Sequence, residues 1–298
     1  MLRVIPALFV SLILDAAAPV RADDCRAALD RFDYPAARHI AESRLHQDPG
    51  LAAAWICLAR SQYETGRFRA ALDSLERTRG LAMTGPDQTL AHNWFGVTLR
   101  RLDRRPEAWR HIEAALAGAR GAGDRGGLAT ALHNQAGLLN DGGRAEGALA
   151  AYRESLGINP DLAEQSASLN NMGLIELERG NPGLAERHIQ AAIDLNRRHG
   201  HLHHLGKHLM NLGNLRRVQG RHAEAEGLLA EGSALVTKAD DRFWMGVGLQ
   251  LTAWLARDRG HGETARRLLD QAAREYEAAG SPLEAGAARA ELAGLAPG

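Results

Sequence analysis

Two groups of side chains in this sequence have the type and spacing to do chemistry. The first is His199-Gly200-His201-Leu202-His203-His204-Leu205-Gly206-Lys207-His208. His204 and His208 stand four residues apart, so on a helix both imidazoles share one face, a spacing that can seat a transition metal. His199, His201 and His203 would add ligands from the adjoining loop. The carboxylate or cysteine that usually completes such a site is not evident nearby in sequence, so a polar connection with neutral, solvated histidines is the competing reading. The second group is Cys25 and Cys57. They lie about one structural unit apart, and a disulfide between them or two buried thiols are both consistent with that spacing. Bridging requires Cα atoms within about 7 Å, and a C-x-x-C redox motif is absent.

Other catalytic chemistry finds no support. No serine sits in a Gly-x-Ser-x-Gly elbow, and Gly121 to Gly126 lacks the preceding strand that a nucleotide-binding loop needs. Glu176 and Glu178 are two residues apart, so on a helix they diverge instead of facing each other. No catalytic residue and no cofactor is assigned, and the chain reads as a non-enzyme. Its 36 basic and 36 acidic residues cancel to zero formal charge, which removes the electrostatic reason to expect a nucleic-acid partner.

The N-terminus has the pattern of an export signal over residues 1–22. Arg3 supplies a positive start, Val4 to Leu14 an apolar core, and Val20-Arg21-Ala22 small residues where a signal peptidase reads. The apolar run is too short to span a bilayer, and Asp23-Asp24 before Cys25 spoils a lipoprotein box. The expectation is an exported protein, periplasmic or secreted, with no transmembrane segment after cleavage. In that compartment a Cys25–Cys57 disulfide would persist.

The elements that must position these residues are internal repeats. Small residues recur at Ala59, Gly96, Gly137, Gly173, Gly213 and Ala253, at steps of 37, 41, 36, 40 and 40 residues. Each is followed, 12 residues on (11 after Gly137), by Ala71, Ala108, Ala148, Ala185, Ala225 or Ala265. Four further on stand Leu75, Ile112, Tyr152, Ile189, Leu229 and Leu269. A glycine or alanine facing an alanine lets two helix backbones approach, and the larger residue fills the flank. Turn signals such as Gly180-Asn181-Pro182 fall between the two small positions. Gly118 to Gly127 reads as a connection between units. Ser281 is placed to cap a last helix that begins with Pro282.

The pattern resembles the tetratricopeptide repeat. Trp55, Leu58, Ala59, Gly66, Phe68, Ala71 and Leu75 carry that signature best. From Gly96 onward the longer units, with phrases such as His133-Asn134-Gln135-Ala136-Gly137 and Leu169-Asn170-Asn171-Met172-Gly173, are similar to kinesin-light-chain repeats. The resemblance implies an all-α, right-handed solenoid of about seven helix-turn-helix units over residues 23–298. The first unit is degenerate, and a capping helix covers about 282–295. It also implies a concave groove, lined by the first helix of each unit, that binds a protein or peptide.

Asparagine is a poor helix former, yet it recurs in these first helices. One side chain offers a donor and an acceptor, the pair needed to hold an extended backbone. The resemblance therefore nominates Asn134, Asn170, Asn171 and Asn211 as groove residues, and Asn93 stands at the equivalent position. Lys207, Asn214 and Arg217 would grip an acidic group or terminal carboxylate, as the carboxylate clamps of this family do. A ladder of asparagines linking adjacent first helices is the structural alternative. The functional expectation is a scaffold or adaptor in an envelope or secretion assembly. A ligand-sensing or enzyme-accessory repeat protein, and a self-associating structural protein, are the alternatives.

Overall fold

Short amphipathic helices that cannot bury an apolar face alone must stack, and the chain does so throughout. The computed structural model describes residues 22–295; apart from Ala22, the expected signal segment lies outside the described residues. Seven helix pairs follow one another: α1 (Ala22–Asp30) with α2 (Tyr34–Gln47), α3 (Ala52–Glu64) with α4 (Phe68–Glu76), and α5 (Gly85–Arg101) with α6 (Arg105–Ala122). Next come α7 (Arg125–Asp141) with α8 (Ala145–Ile158), α9 (Leu162–Glu178) with α10 (Pro182–His199), α11 (Leu202–Val218) with α12 (His222–Lys238), and α13 (Arg242–Asp258) with α14 (Gly262–Ala278). A fifteenth helix, α15 (Pro282–Gly294), packs on α14. The result is a right-handed all-α solenoid. No helix among the described residues is long and apolar enough to cross a membrane.

The recurring small residues are where paired helices touch. A methyl group on Gly173 would stand 3.0 Å from the Ala185 carbonyl oxygen and 2.7 Å from Ile189 Cγ1. Ala185, Ile189, Ala192 and Ile193 are fully buried beneath it. Gly213 meets Ala225 and Leu229 in the same way. α11 and α12 also approach closely: a methyl on Gly232 would lie 2.6 Å from the Gly206 carbonyl oxygen.

Two local expectations are corrected. α6 runs through Gly118 and Gly121, so the break is confined to Gly123, left-handed at φ 67°, and Asp124, whose carboxylate accepts from the Gly127 N–H. An alanine-rich helix supported by α7 tolerates those glycines. Ser281 precedes α15 but its hydroxyl makes no capping bond, and Ser281 Oγ is buried without a partner.

Cys25 on α1 and Cys57 on α3 are joined in a disulfide, with Cα atoms 6.5 Å apart. It closes a loop spanning a 32-residue separation and ties the first pair to the second. Cys25→Ser is expected to cost about 3 kcal/mol. Urea unfolding of the oxidised wild type against the variant measures it, and coincident midpoints would refute it.

The solenoid winds tightly enough to meet itself. The first pair reaches the sixth, through Phe32 against His201 at 4.9 Å and Tyr34 against His203 at 5.2 Å. The second pair reaches the seventh: Arg242 N–H donates to the Thr65 carbonyl at 3.3 Å, and Phe68 N–H to the Ala279 carbonyl at 3.4 Å. Phe68 packs against Phe243 at 5.4 Å, and the Arg101 guanidinium lies 4.7 Å from the Phe243 ring centre. One superhelical turn thus closes on the pair five further along. The sequence suggested a concave groove; the structure brings the early pairs against the late ones, where aromatic residues at the early turns, Phe32 and Phe68, find further cover.

Candidate functional site

Successive first helices stand side by side, and a step of 41 residues sets equivalent side chains opposite each other. The asparagines occupy this register. Asn134 Nδ2 donates to Asn93 Oδ1 at 3.4 Å, Asn93 Nδ2 to the Gly127 carbonyl at 3.2 Å, and Asn211 Nδ2 to Asn170 Oδ1 at 3.0 Å. These four residues are only 2–9% exposed. They form a ladder between α5 and α7 and between α9 and α11, which accounts for a poor helix former inside these helices. Asn171 and Asn214 differ, being half-buried. Asn171 Nδ2 donates to the Tyr152 hydroxyl at 3.0 Å, and Asn214 Oδ1 accepts from Arg217 Nε at 3.0 Å.

Ion pairs repeat the register. Arg100 binds Asp141 through two bonds of 2.6 and 2.9 Å, and Arg217 pairs with Asp258 at 2.5 Å while lying over Trp254. Lys207 Nζ lies 3.2 Å from Asp241 Oδ2 and 3.7 Å from Glu64 Oε2. The two cations nominated to grip a partner's carboxylate are therefore already held by the chain's own acids.

Lys207 belongs to a buried polar knot at the seam. Asp241 caps α13, its Oδ1 accepting from the Trp244 N–H at 3.1 Å. Its Oδ2 lies 2.9 Å from His203 Nε2, and His203 Nδ1 lies 3.0 Å from the Tyr34 hydroxyl. One neutral tautomer satisfies both contacts: Nε2–H donates to the carboxylate and Nδ1 accepts the phenol proton. Burial first, then the Lys207 charge, holds the His203 and His204 pKa values below the ordinary imidazole value. His208 is turned to Asn196, whose Nδ2 lies 2.9 Å from His208 Nδ1, and burial lowers its pKa to about 3. The sequence paired His204 with His208, whose rings stand 6.4 Å apart; the fold also sets His204 beside His203 and Glu64.

Between α3 and α5 the Arg60 guanidinium lies 5.7 Å from the Trp94 ring centre, and Tyr63 packs on the same indole at 5.4 Å. Trp94 Nε1 and Arg60 Nε are buried donors without an acceptor in the protein. Glu164, at the start of α9, accepts from Asn159 Nδ2 at 2.7 Å and Thr130 Oγ1 at 3.0 Å. Burial pushes its pKa up to about 7. An acid raised in the folded state binds its proton more tightly there than when unfolded. It therefore favours folding below about pH 4.5, and that contribution is lost as pH rises through 7. Glu164→Gln, which cannot ionise, is expected to raise the melting temperature at pH 8 and leave it unchanged at pH 4.5. Equal effects at both pH values would contradict this.

Tyr34, Glu64, Asp241 and Glu164 were not nominated from the sequence. The histidine cluster was visible, but its partners lie on helices far away in the chain.

No family profile matches the chain. Over 122 residues, 39% of its length, it is 32% identical to the photosystem I assembly protein Ycf3 of Prochlorococcus marinus (strain MIT 9303). The match spans 66% of that relative, just short of two thirds. Its fold is similar to the Rap conjugation gene regulator of plasmid pLS20 in complex with the Phr* peptide, with a TM-score of 0.66 and 16% identity, covering 88% of this chain and 74% of that one. It is also similar to a signal transduction ATPase with a tetratricopeptide repeat sensor from Pyrococcus horikoshii, with a TM-score of 0.61 and 12% identity, covering 92% of this chain and 46% of the other.

Proposed function

We propose that this chain, whose helix pairs and structural neighbours share the tetratricopeptide-repeat fold, is an exported scaffold that holds a polypeptide segment of its partner against the inward face of its first helices. The coarser part of this, a helical-repeat scaffold for protein–protein interaction, comes with the fold. The finer part rests on the partnerless donors Trp94 Nε1 and Arg60 Nε. A buried N–H without an acceptor is costly, and a shift of the Trp94 and Arg60 side chains on binding would let a backbone carbonyl or carboxylate of a bound chain supply what these two lack. Half-buried Asn171 and Asn214 provide further amides on the same series of helices. The asparagine ladder gives that face its rigidity. The structural relative that carries a peptide is consistent with this use of the fold, and the N-terminal segment supports export.

Affinity capture from an envelope fraction, followed by titration of the captured partner, tests the reading. Trp94→Phe keeps an aromatic, though smaller, ring and removes the N–H. It is expected to weaken binding roughly tenfold, the equivalent of one buried hydrogen bond. Asn211→Ala should instead lower stability by about 1 kcal/mol through the ladder and leave affinity intact. Unchanged affinity in Trp94→Phe together with Arg60→Gln refutes the inner-face assignment. A mature N-terminus at Met1 refutes processing.

A further inference from the structure

At the seam, Glu64 on α3 and the adjacent His203 and His204 on α11 each bring a ligand atom to within 4.8 Å of the other two. We propose that these three residues form a divalent transition-metal site, for zinc in the first instance, that ties α3 to α11 across the closure. Two imidazoles and one carboxylate are a donor set that zinc accepts, with a fourth position left to water. Bonds of about 2.0–2.2 Å draw tetrahedral ligand atoms to roughly 3.5 Å of one another, so small side-chain rotations complete the site.

The surroundings fit a cation. Glu64 and Asp241 bring two carboxylates to the knot, and Lys207 brings one ammonium between them. Lys207 can release Glu64, its longer contact at 3.7 Å, and keep Asp241 at 3.2 Å. Behind the ligands, Asp241 already holds His203 Nε2. If Nδ1 exchanges the Tyr34 hydroxyl for the metal, this carboxylate orients the ring and raises its basicity, the usual arrangement around metal-bound histidine. An imidazole-rich set of this kind selects zinc, copper or nickel over magnesium and calcium.

The experiment uses the full chain freed of metal with a chelator and titrated with zinc at neutral pH. One zinc per chain is expected, with a rise in melting temperature, and magnesium should produce neither. Glu64→Gln and His204→Ala, each checked for helicity, should weaken binding at least about tenfold. His208→Ala, whose native partner is Asn196, should bind as the wild type does. X-ray absorption at the zinc edge of the loaded wild type needs no variant to fold and should show two imidazoles and oxygen donors. No binding in the micromolar range, undiminished affinity in both ligand variants, or a shell of three or more imidazoles overturns the site.

Discussion

Acidification from pH 6.5 to 4 is expected to unfold this protein. Burial holds His133 at a pKa of about 4 and His208 at about 3, against an ordinary value of 6.5. Arg100 adds to the effect at His133 and Lys207 at His208. His203 and His204 are lowered by the same causes. A histidine with a depressed folded pKa is neutral in the fold while the unfolded chain takes up a proton. The unfolded state therefore binds more protons below pH 6.5, and stability falls with pH until the folded pKa values are reached. For His133 alone the loss is on the order of 3 kcal/mol. Two or three such groups rival the whole stability of an ordinary domain. Glu164 acts in the opposite sense across pH 4.5–7 and offsets part of the loss. Melting temperature against pH, followed by circular dichroism, measures the sum. A flat profile between pH 7 and 4.5 would rule the account out, and His133→Gln should flatten it partially.

Gly66→Ala is expected to open the seam. Gly66 sits in the α3–α4 turn at φ 71°, a left-handed backbone that alanine enters at a cost of about 1–3 kcal/mol. The added methyl would also stand 2.6 Å from the Phe243 backbone nitrogen and 3.0 Å from Asp241 Oδ1. The backbone nitrogen cannot turn aside, and the Asp241 carboxylate is held in place by the Trp244 N–H. Strain and overpacking together amount to roughly 4 kcal/mol, and separating the second pair from the seventh relieves the clash. Small-angle scattering should show a larger radius of gyration with helical content preserved. By contrast, a methyl on Gly96 meets only the Ile112 side chain, which can turn aside, so Gly96→Ala should lower stability without changing shape. Identical scattering from wild type and Gly66→Ala would contradict the closure.

What could be read in the sequence was whatever is local or strictly periodic. The Gly173, Ala185, Ile189 spacing reports a contact within one helix pair, and the structure makes that contact. The closure escaped because Phe68 and Phe243 belong to different units, and no periodicity links a unit to the one five further on. The asparagines show a finer limit. Their recurrence was plain, but a donor-acceptor side chain serves a neighbouring helix as well as a guest chain. Only the 41-residue offset between Asn93 and Asn134, and between Asn170 and Asn211, set against the geometry, separates the two uses. Lys207 and Arg217 were legible as cations on one helix, while the acids that hold them lie on α3, at the start of α13 and at its end.

In a linear repeat array each unit interacts only with its neighbours, and the terminal units fray first. Here the first pair abuts the sixth and the second abuts the seventh, so the array has something close to a periodic boundary. Fraying at the N-terminus then requires breaking a seam as well as an end contact. Removing one internal pair would not simply shorten the protein: Phe68 would no longer reach Phe243, and Tyr34 would miss His203. The number of repeats is therefore part of the architecture, and unfolding should be cooperative over the whole turn instead of spreading unit by unit.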